Sequence, residues 1–341
     1  MSKKVLITGG AGFIGHLAIK KILESTDWEL LTFDRLSYAA DLRRIDEVVE
    51  EVGGSAKKRI RFIFHDLKAP VTDETLKQIE DVSYMVHIGA SSHVTRSVEN
   101  PSIFIQDNLV GTFNILEAAR KVSNLELFYY FSTDEVFGPS TSNEKFKEWD
   151  RYNSKNPYSA TKAGAEELTI AYSNTYSIPA LISHCSNVYG ERQHPEKFIP
   201  MTIKKILNNE EIIVHTDENK VPGSRYYLYN EDLSQSIHFL IENYSDISKK
   251  IFEVQKIDPP KINIAGKSLV SNLEVVEKIG EYLGKEYKYK LIYEDPLRPK
   301  HDIKYGLDTE LLESLGGDFD RKFEIGLKNT VDWYMERQDW L

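Results

Sequence analysis

Two adjacent carboxylates, Asp134 and Glu135, end an apolar run in the stretch LELFYYFSTDEVFG, residues 125–138, directly after Ser132 and Thr133. Neighbouring carboxyl groups can act as acid and base in one reaction when burial and like-charge repulsion raise the pKa of one of them, so that it stays protonated. The alternative is an Asp-Glu pair that caps a helix or faces solvent in a loop. The pattern predicts an acid–base site if other elements bring a reactant to it.

A glycine-rich turn stands near the start of the chain, in KVLITGGAGFIG. Gly9, Gly12 and Gly15 recur every three residues between a predicted strand and a predicted helix. Glycines there let the main chain approach a pyrophosphate, and the helix N-terminus supplies free N–H groups and a partial positive charge. Because the motif lies on the first strand-turn-helix unit, it predicts a dinucleotide site.

Asp34 closes the next predicted strand, ELLTFD, 19 residues after Gly15. A carboxylate there accepts hydrogen bonds from a ribose 2′-hydroxyl and repels a 2′-phosphate, although the following Arg35 could accommodate a phosphate. We favour NAD over NADP. Further contacts to the cofactor, some of which could equally be loop residues, are expected from Phe13, Ile14, Arg35, Leu36, Ser37, Asp66, Leu67, Gly89, Ala90, Ser91 and Val188.

Tyr158 and Lys162 are four residues apart at the start of a predicted helix, in NPYSATKAGAEE, and therefore share one face. A tyrosine hydroxyl has a pKa of about 10, and lowering it to near neutrality requires about 4 kcal/mol. One cation at about 4 Å contributes about 4 kcal/mol at an effective dielectric constant of about 20. Lys162 and the nicotinamide charge can thus make Tyr158 a base, and both side chains are expected to contact the cofactor. Thr133 supplies a hydroxyl that can hydrogen-bond the same substrate alcohol that Tyr158 would deprotonate.

The elements that must position these groups alternate between strands and helices. Apolar runs such as KVLIT, RIRFIFHD and PALISHCSN are separated by stretches with helical spacing, such as Phe13–Ser25. Strands that are apolar throughout are usually covered on both faces, as in a parallel sheet. We expect an α/β fold with a Rossmann-type doubly wound parallel sheet in residues 1–186, to which part of 226–265 returns. Residues 187–341 are expected to form mainly a smaller C-terminal substrate-binding lobe.

The composition excludes several partners. The 341 residues carry a formal net charge of -10 without a block of like charge, whereas nucleic-acid binding needs clustered lysine and arginine. The only cysteine is Cys185, and no apolar stretch is long enough for a signal peptide or a membrane span. We expect a cytoplasmic protein with neither nucleic acid nor membrane as a partner. The histidines lack metal-ligand spacing, so no metal is expected.

These motifs together resemble the extended short-chain dehydrogenase/reductase family over essentially the whole chain. Within it, STDEVFG, NPYSATKAGAE, CSNVYGERQHPEKFIP and RPKHD are most similar to nucleotide-sugar 4,6-dehydratases acting on dTDP-glucose or UDP-glucose. The resemblance implies that Tyr158, with Lys162 and Thr133, takes the proton of the sugar 4-hydroxyl while hydride passes to NAD. Glu135 would then remove the C5 proton and Asp134 would protonate the leaving 6-hydroxyl. Hydride return to C6 yields a 4-keto-6-deoxy sugar.

The resemblance also implies which residues hold the nucleotide sugar. Besides Thr133, they are Ser92, Asn187, Lys197, Phe198, Arg225, Asn263, Arg298 and His301. Thymine and uracil differ by one methyl group, whose recognition is worth about 1–3 kcal/mol. The choice between dTDP and UDP therefore stays open.

Two other interpretations remain. A 4-epimerase or decarboxylase would use the same NAD cycle, and a regulatory protein could bind NAD without catalysis. The regulator would have no need for Thr133, Tyr158 and Lys162 together. By the same resemblance we expect a homodimer that pairs through the helices Pro101–Val122 and Tyr158–Tyr176.

Overall fold

A seven-stranded, all-parallel sheet forms the centre of the structure, a computed structural model that describes residues 2–140, 145–293, 304–317 and 319–341. The strands are β1 (Lys4–Thr8), β2 (Glu29–Asp34), β3 (Ile60–Phe64), β4 (Tyr84–His87), β5 (Leu127–Phe131), β6 (Ala180–Cys185), β7 (Val188–Tyr189), β8 (Glu211–His215), β9 (Ser224–Tyr226), β10 (Leu228–Tyr229), β11 (Lys261–Ile264), β12 (Leu269–Ser271) and β13 (Lys288–Ile292). The order in the large sheet is β11-β6-β5-β4-β1-β2-β3. The predicted doubly wound α/β fold is confirmed.

The described helices lie before, between and after these strands. They are α1 (Phe13–Ser25), α2 (Arg43–Val52), α3 (Ala56–Arg59), α4 (Asp73–Ile79), α5 (Val94–Glu99), α6 (Pro101–Phe104), α7 (Gly111–Ala119), α8 (Pro157–Tyr176), α9 (Phe198–Leu207), α10 (Asn230–Glu242), α11 (Tyr244–Gln255), α12 (Asn272–Leu283), α13 (Glu310–Ser314) and α14 (Phe323–Glu336). The described residues also form one π-helical turn (Ile105–Val110) and two 3₁₀ turns (Asp134–Phe137 and Gln338–Trp340).

Alternate residues of β1 show why the strands are apolar throughout. Val5 and Ile7 pack into one core with Ile19 of α1 and Leu233 of α10, whereas Leu6 packs into a second core on the other face. Successive side chains of a strand point to opposite faces, so a sheet that is covered on both sides needs apolar residues at every position.

The later part of the chain forms three small two-stranded sheets, β7 with β10, β8 with β13 and β9 with β12. Helices α9, α12 and α14 share a separate apolar core with β7, β8, β10 and β12. Strand β11 instead joins the large sheet beside β6, and it comes from the 226–265 stretch. The domain boundary after residue 186 stays a prediction.

The two helices expected at a dimer face differ from each other. The prediction of one helix over Pro101–Val122 is wrong in detail, because the π-helical turn separates α6 from α7. Helix α8 runs almost as predicted, since Asn156 and Ser159 form a capping box before it. Among the described helices, none has the length and apolar character required to cross a bilayer.

Candidate active site

A cavity of about 320 Å³ lies beyond the carboxyl ends of the parallel strands, where the strand order reverses between β1 and β4. Open parallel sheets bind their ligands at such a reversal. The glycine-rich turn, the acid pair and the Tyr-Lys pair all line it. The predicted cofactor residues in its wall are Gly9, Gly12, Phe13, Ile14, Gly15, Asp34, Arg35, Ser37, Asp66, Leu67, Gly89, Ala90, Ser91, Tyr158, Lys162 and Val188.

The glycine-rich turn brings the first turn of α1 against the cavity. Gly9 has a φ of +74°, a conformation that favours glycine. A Cβ on Gly15 would stand 2.0 Å from the carbonyl oxygen of Gly9, so only glycine lets the helix start this close to β1. No side chain caps the helix at Gly12, and its free N–H groups suit a pyrophosphate. The residues present therefore fit a dinucleotide.

Asp34 and Arg35 bear on the choice between NAD and NADP. The carboxylate of Asp34 accepts the N–H groups of Ala11 at 3.1 Å and Leu36 at 2.8 Å and keeps lone pairs for a ribose hydroxyl. Arg35 makes a two-bond contact with Asp107, at 2.7 and 2.6 Å, and a third bond to Asp66 at 3.2 Å. Its charge is thus already neutralised, which favours the cofactor without a 2′-phosphate. Leu36, a predicted cofactor contact, is not part of the cavity wall. Its side chain is exposed, and its backbone has a φ of 56°.

The acid pair lies in the 3₁₀ turn that follows β5. Thr133 caps this turn, and its hydroxyl donates to Asp134 Oδ1 at 3.1 Å. Asp134 is 3% exposed, and burial, reinforced by the charge of Glu135, raises its pKa to about 7. Glu135 is only partly buried and accepts a hydrogen bond from Asn156 Nδ2 at 2.9 Å. The two carboxyl groups therefore have the unequal environments that distinguish an acid from a base.

Tyr158 and Lys162 project from the first two turns of α8 into the same cavity. Burial, reinforced by the charge of Glu135, raises the pKa of Tyr158. Burial lowers the pKa of Lys162 to about 7. Lys162 Nζ donates to the carbonyl oxygen of Phe131 at 2.6 Å. The expected lowering of the tyrosine pKa is thus not present in the protein by itself, so it must come from the charge of the bound cofactor.

Two residues that position the site, Asn108 and Asn156, are not among those predicted from the sequence. Asn108, in the π-helical turn, accepts the backbone N–H of Ser91 at 2.8 Å and donates to Thr161 at 3.0 Å, so it links the cofactor wall to α8. Asn156 both caps α8 and holds Glu135. Only Asn156 was detectable, because an asparagine before a proline at a helix start is a typical N-cap.

A buried cluster of ionisable side chains, formed by Glu166, His184 and Lys261, lies behind the acid pair. His184 Nε2 lies 3.1 Å from Glu166, and Lys261 Nζ lies 3.1 Å from the same carboxylate. Burial acts to raise the pKa of Glu166, but His184 and Lys261 together outweigh it, so the pKa lies below its ordinary value. The His184 ring packs 4.7 Å from the ring of Phe137, the last residue of the acid-pair turn. The cluster therefore forms the floor beneath that turn.

Asn263, a predicted substrate contact, lies within this floor and outside the cavity wall. Asn263 is fully buried in β11, where its Nδ2 donates to the carbonyl oxygens of Phe146 and Asp308 at 2.9 and 3.0 Å. Its Oδ1 lies 3.0 Å from His184 Nδ1. Every polar atom of the amide thus has a partner within the protein, and the contact of Asn263 with the substrate stays a prediction.

The remaining predicted substrate residues fall into three groups. Ser92, Asn187 and Lys197 line the cavity, as does Thr133. Arg225 lies outside its wall but close enough for its charge to lower the pKa of Asp134, and Phe198 begins α9 and packs in the smaller core. Arg298 and His301 lie outside the described residues. Within residues 2–140, 145–293, 304–317 and 319–341, no His, Cys, Asp or Glu side chains form a metal-binding group.

The sequence matches the family described as GDP-mannose 4,6 dehydratase over residues 6–330. The dTDP-glucose 4,6-dehydratase of Escherichia coli is 32% identical, with 99% of this chain and 94% of that protein aligned. A trifunctional UDP-glucose 4,6-dehydratase, epimerase and reductase of Arabidopsis thaliana is 31% identical over 99% of this chain and 48% of its own length. The crystal structure of the dTDP-glucose 4,6-dehydratase of Streptomyces venezuelae with NAD bound has a TM-score of 0.84 at 27% identity, covering 99% and 98% of the two chains.

Proposed function

Because the chain belongs to the GDP-mannose 4,6-dehydratase family, we propose that it is an NAD-dependent hydro-lyase acting on a nucleoside diphosphate glucose, dTDP-glucose or UDP-glucose. The product is the 4-keto-6-deoxy sugar. Bound NAD supplies the acceptor for hydride from C4 and later the donor of hydride to C6.

The first step is removal of the proton from the sugar 4-hydroxyl. Tyr158 is the base, and Thr133, which lines the same cavity, holds the same hydroxyl. Lys162 donates to the Phe131 carbonyl and lies 4.3 Å from the centre of the Tyr130 ring, so its position is fixed from two sides. The charge of the bound cofactor offsets the burial that otherwise keeps Tyr158 protonated, and Lys162 adds to it in its protonated form.

The second step is loss of water across C5 and C6. Glu135 is the base that removes the C5 proton, which the neighbouring ketone makes acidic, and it returns a proton to C5 when hydride adds at C6. Asp134 is the acid that protonates the departing 6-hydroxyl. The observation that carries this assignment is the buried Asp134 with a pKa raised to about 7, next to a partly exposed Glu135 held by Asn156. Near neutrality the pair can hold one proton between two carboxyl groups.

The cations that we propose for the diphosphate are Lys197 and Arg225. Lys197 lines the cavity at the start of α9, and Arg225 lies on the side of Asp134. The chain as a whole is acidic, so a diphosphate requires local positive charge. Lys197 and Arg225 would supply it.

Incubation with UDP-glucose and with dTDP-glucose in separate reactions tests the function. The alkali-induced absorbance of a 4-keto sugar should appear with at least one of them, and the faster substrate identifies the nucleoside. Failure with both nucleotides, in protein that binds NAD, would remove the dehydratase assignment.

Amide variants distinguish a dehydratase from a 4-epimerase, the second candidate, which shares the first step. Asp134→Asn and Glu135→Gln should each abolish elimination and spare oxidation, so reduced cofactor accumulates on the enzyme. Loss of an acid or base group typically costs about 10²–10⁴-fold in rate. An epimerase would retain its rate in both variants.

We also propose that two copies pair through the outer faces of α6, α7 and α8. Ile103, Ile105, Phe113 and Tyr176 are each 43–49% exposed there. Phe113 of α7 and Tyr172 of α8 are in edge contact, which joins these helices into one apolar face. Light scattering should give twice the monomer mass, and Phe113→Asp should shift the population toward monomer.

A further inference from the structure

Arg44, the second residue of α2, is a buried arginine that contacts three separate loops. It is 1% exposed. Its guanidinium donates to the carbonyl oxygens of Ala11 at 2.9 Å, Ala39 at 2.8 Å and Arg192 at 3.0 and 2.9 Å. A planar guanidinium has five N–H donors in a fixed fork, so it can hold carbonyls from several directions at once.

Each carbonyl belongs to a different wall of the cavity. Ala11 lies in the glycine-rich turn, immediately before Gly12 of the wall. Ala39 lies in the loop between β2 and α2, and its own side chain lines the cavity. Arg192 has a φ of 63° and precedes Gln193 and His194, which also line the cavity. One side chain therefore sets the spacing of three walls around the dinucleotide end of the cavity.

A second layer holds this arrangement from outside. Arg192 pairs with Glu47 at 2.5 Å and with Glu51, both on α2. The hydroxyl of Tyr334, on α14, donates to the carbonyl oxygen of Gln193 at 2.7 Å. The walls joined by Arg44 are thus backed by α2 and by α14.

We propose that Arg44 is a positioning residue for the cofactor, which closes the three walls on NAD and slows its release. The inference rests on the proposed function, since that reaction returns the cofactor to its oxidised form in every turnover and has no need to exchange it. Arg44 touches neither the cofactor nor the sugar in this role and acts through Ala11, Ala39 and Arg192.

Arg44→Lys and Arg44→Met test the proposal, with Arg43→Met as the matched control. Lysine keeps the charge but cannot span three carbonyls, and hydrogen bonds to charged groups are the strong ones. Arg43 is adjacent and 50% exposed, and it pairs with Asp41 and Asp339 at the surface. The readouts are the dissociation constant and release rate of NAD, measured by calorimetry and stopped-flow on cofactor-stripped protein. A parallel titration with UDP and dTDP reports the substrate side.

Arg44→Lys should weaken NAD binding roughly tenfold or more and speed its release to a similar extent. UDP or dTDP binding, and kcat at saturating NAD, should stay within about twofold, as should every quantity in Arg43→Met. Unchanged NAD release in Arg44→Lys would overturn the proposal, and so would an equal loss of NAD and nucleotide binding, which would indicate a general scaffold role. If Arg44→Met does not fold, Arg44→Lys alone decides. A wild-type protein that binds no NAD would refute the proposed function itself.

Discussion

Replacing Asp134 by asparagine should stabilise the cofactor-free protein at alkaline pH while it destroys catalysis. The pKa of the buried carboxyl is raised from about 3.8 to about 7. The folded state therefore binds a proton that the unfolded state has released, so stability is highest below about pH 4 and falls as pH rises toward 7. Above pH 7 the full penalty is present. At 1.36 kcal/mol per pKa unit it amounts to about 4 kcal/mol, of which about 3 kcal/mol accrues between about pH 5 and pH 8.

Asparagine cannot ionise, so Asp134→Asn escapes this penalty. A chain of 341 residues has an unfolding entropy of about 0.7 kcal/mol/K, and 3 kcal/mol then corresponds to about 4 °C. The assay is the melting-temperature difference between Asp134→Asn and wild type, followed from about pH 5 to about pH 8. The informative quantity is the slope of this melting-temperature difference with pH. The exchange of a carboxyl group for an amide also changes local hydrogen bonding, but that contribution does not depend on pH.

Asp332→Asn is the control, since that carboxylate is 53% exposed and pairs with Lys328 on the surface of α14. Its effect should stay below about 0.5 kcal/mol and change little over the same range. A flat difference for Asp134→Asn would mean that Asp134 is ionised with an ordinary pKa in the folded protein. The assignment of Asp134 as the proton donor would then fail.

Three further changes follow from the described contacts. Gly15→Ala should cost about 3 kcal/mol and abolish NAD binding, because the new Cβ meets the Gly9 carbonyl; melting curves and an NAD titration measure both, and a normal affinity would contradict the account of the turn. Asp34→Asn should weaken NAD about tenfold and narrow the preference over NADP, as calorimetry with both cofactors can establish; equal loss for both would argue against a ribose contact. Glu166→Gln should cost about 3–5 kcal/mol in urea denaturation, because it leaves the buried Lys261 ammonium without its carboxylate partner, and an effect under 1 kcal/mol would show the cluster to be dispensable.

The parts of the site that could be predicted are those whose signal is local. The glycine turn, Asp34 and the Tyr158–Lys162 pair each combine residue type with short spacing, and the parallel sheet then places them at one edge by geometry alone. The fold class followed from the apolar strands for the same reason.

The parts that could not be predicted depend on contacts between distant segments. Asn263 resembled a substrate ligand, yet pairing of β11 with β6 sets it opposite His184 inside the sheet. The default expectation for Arg44 in an acidic, helical stretch is a solvated surface residue, and only the fold brings three carbonyls around it. The direction of the Tyr158 pKa depends on burial, which no spacing of two residues encodes.

The contact between Arg35 and Asp107 joins two positions that are 72 residues apart in the chain. An engineer who wished to make the protein accept NADP would find the needed cation in place but already committed. Removing the negative charge of Asp34 alone would leave Arg35 paired with Asp107. Such a redesign has to begin inside the π-helical turn, at a residue that no comparison of strand ends would single out.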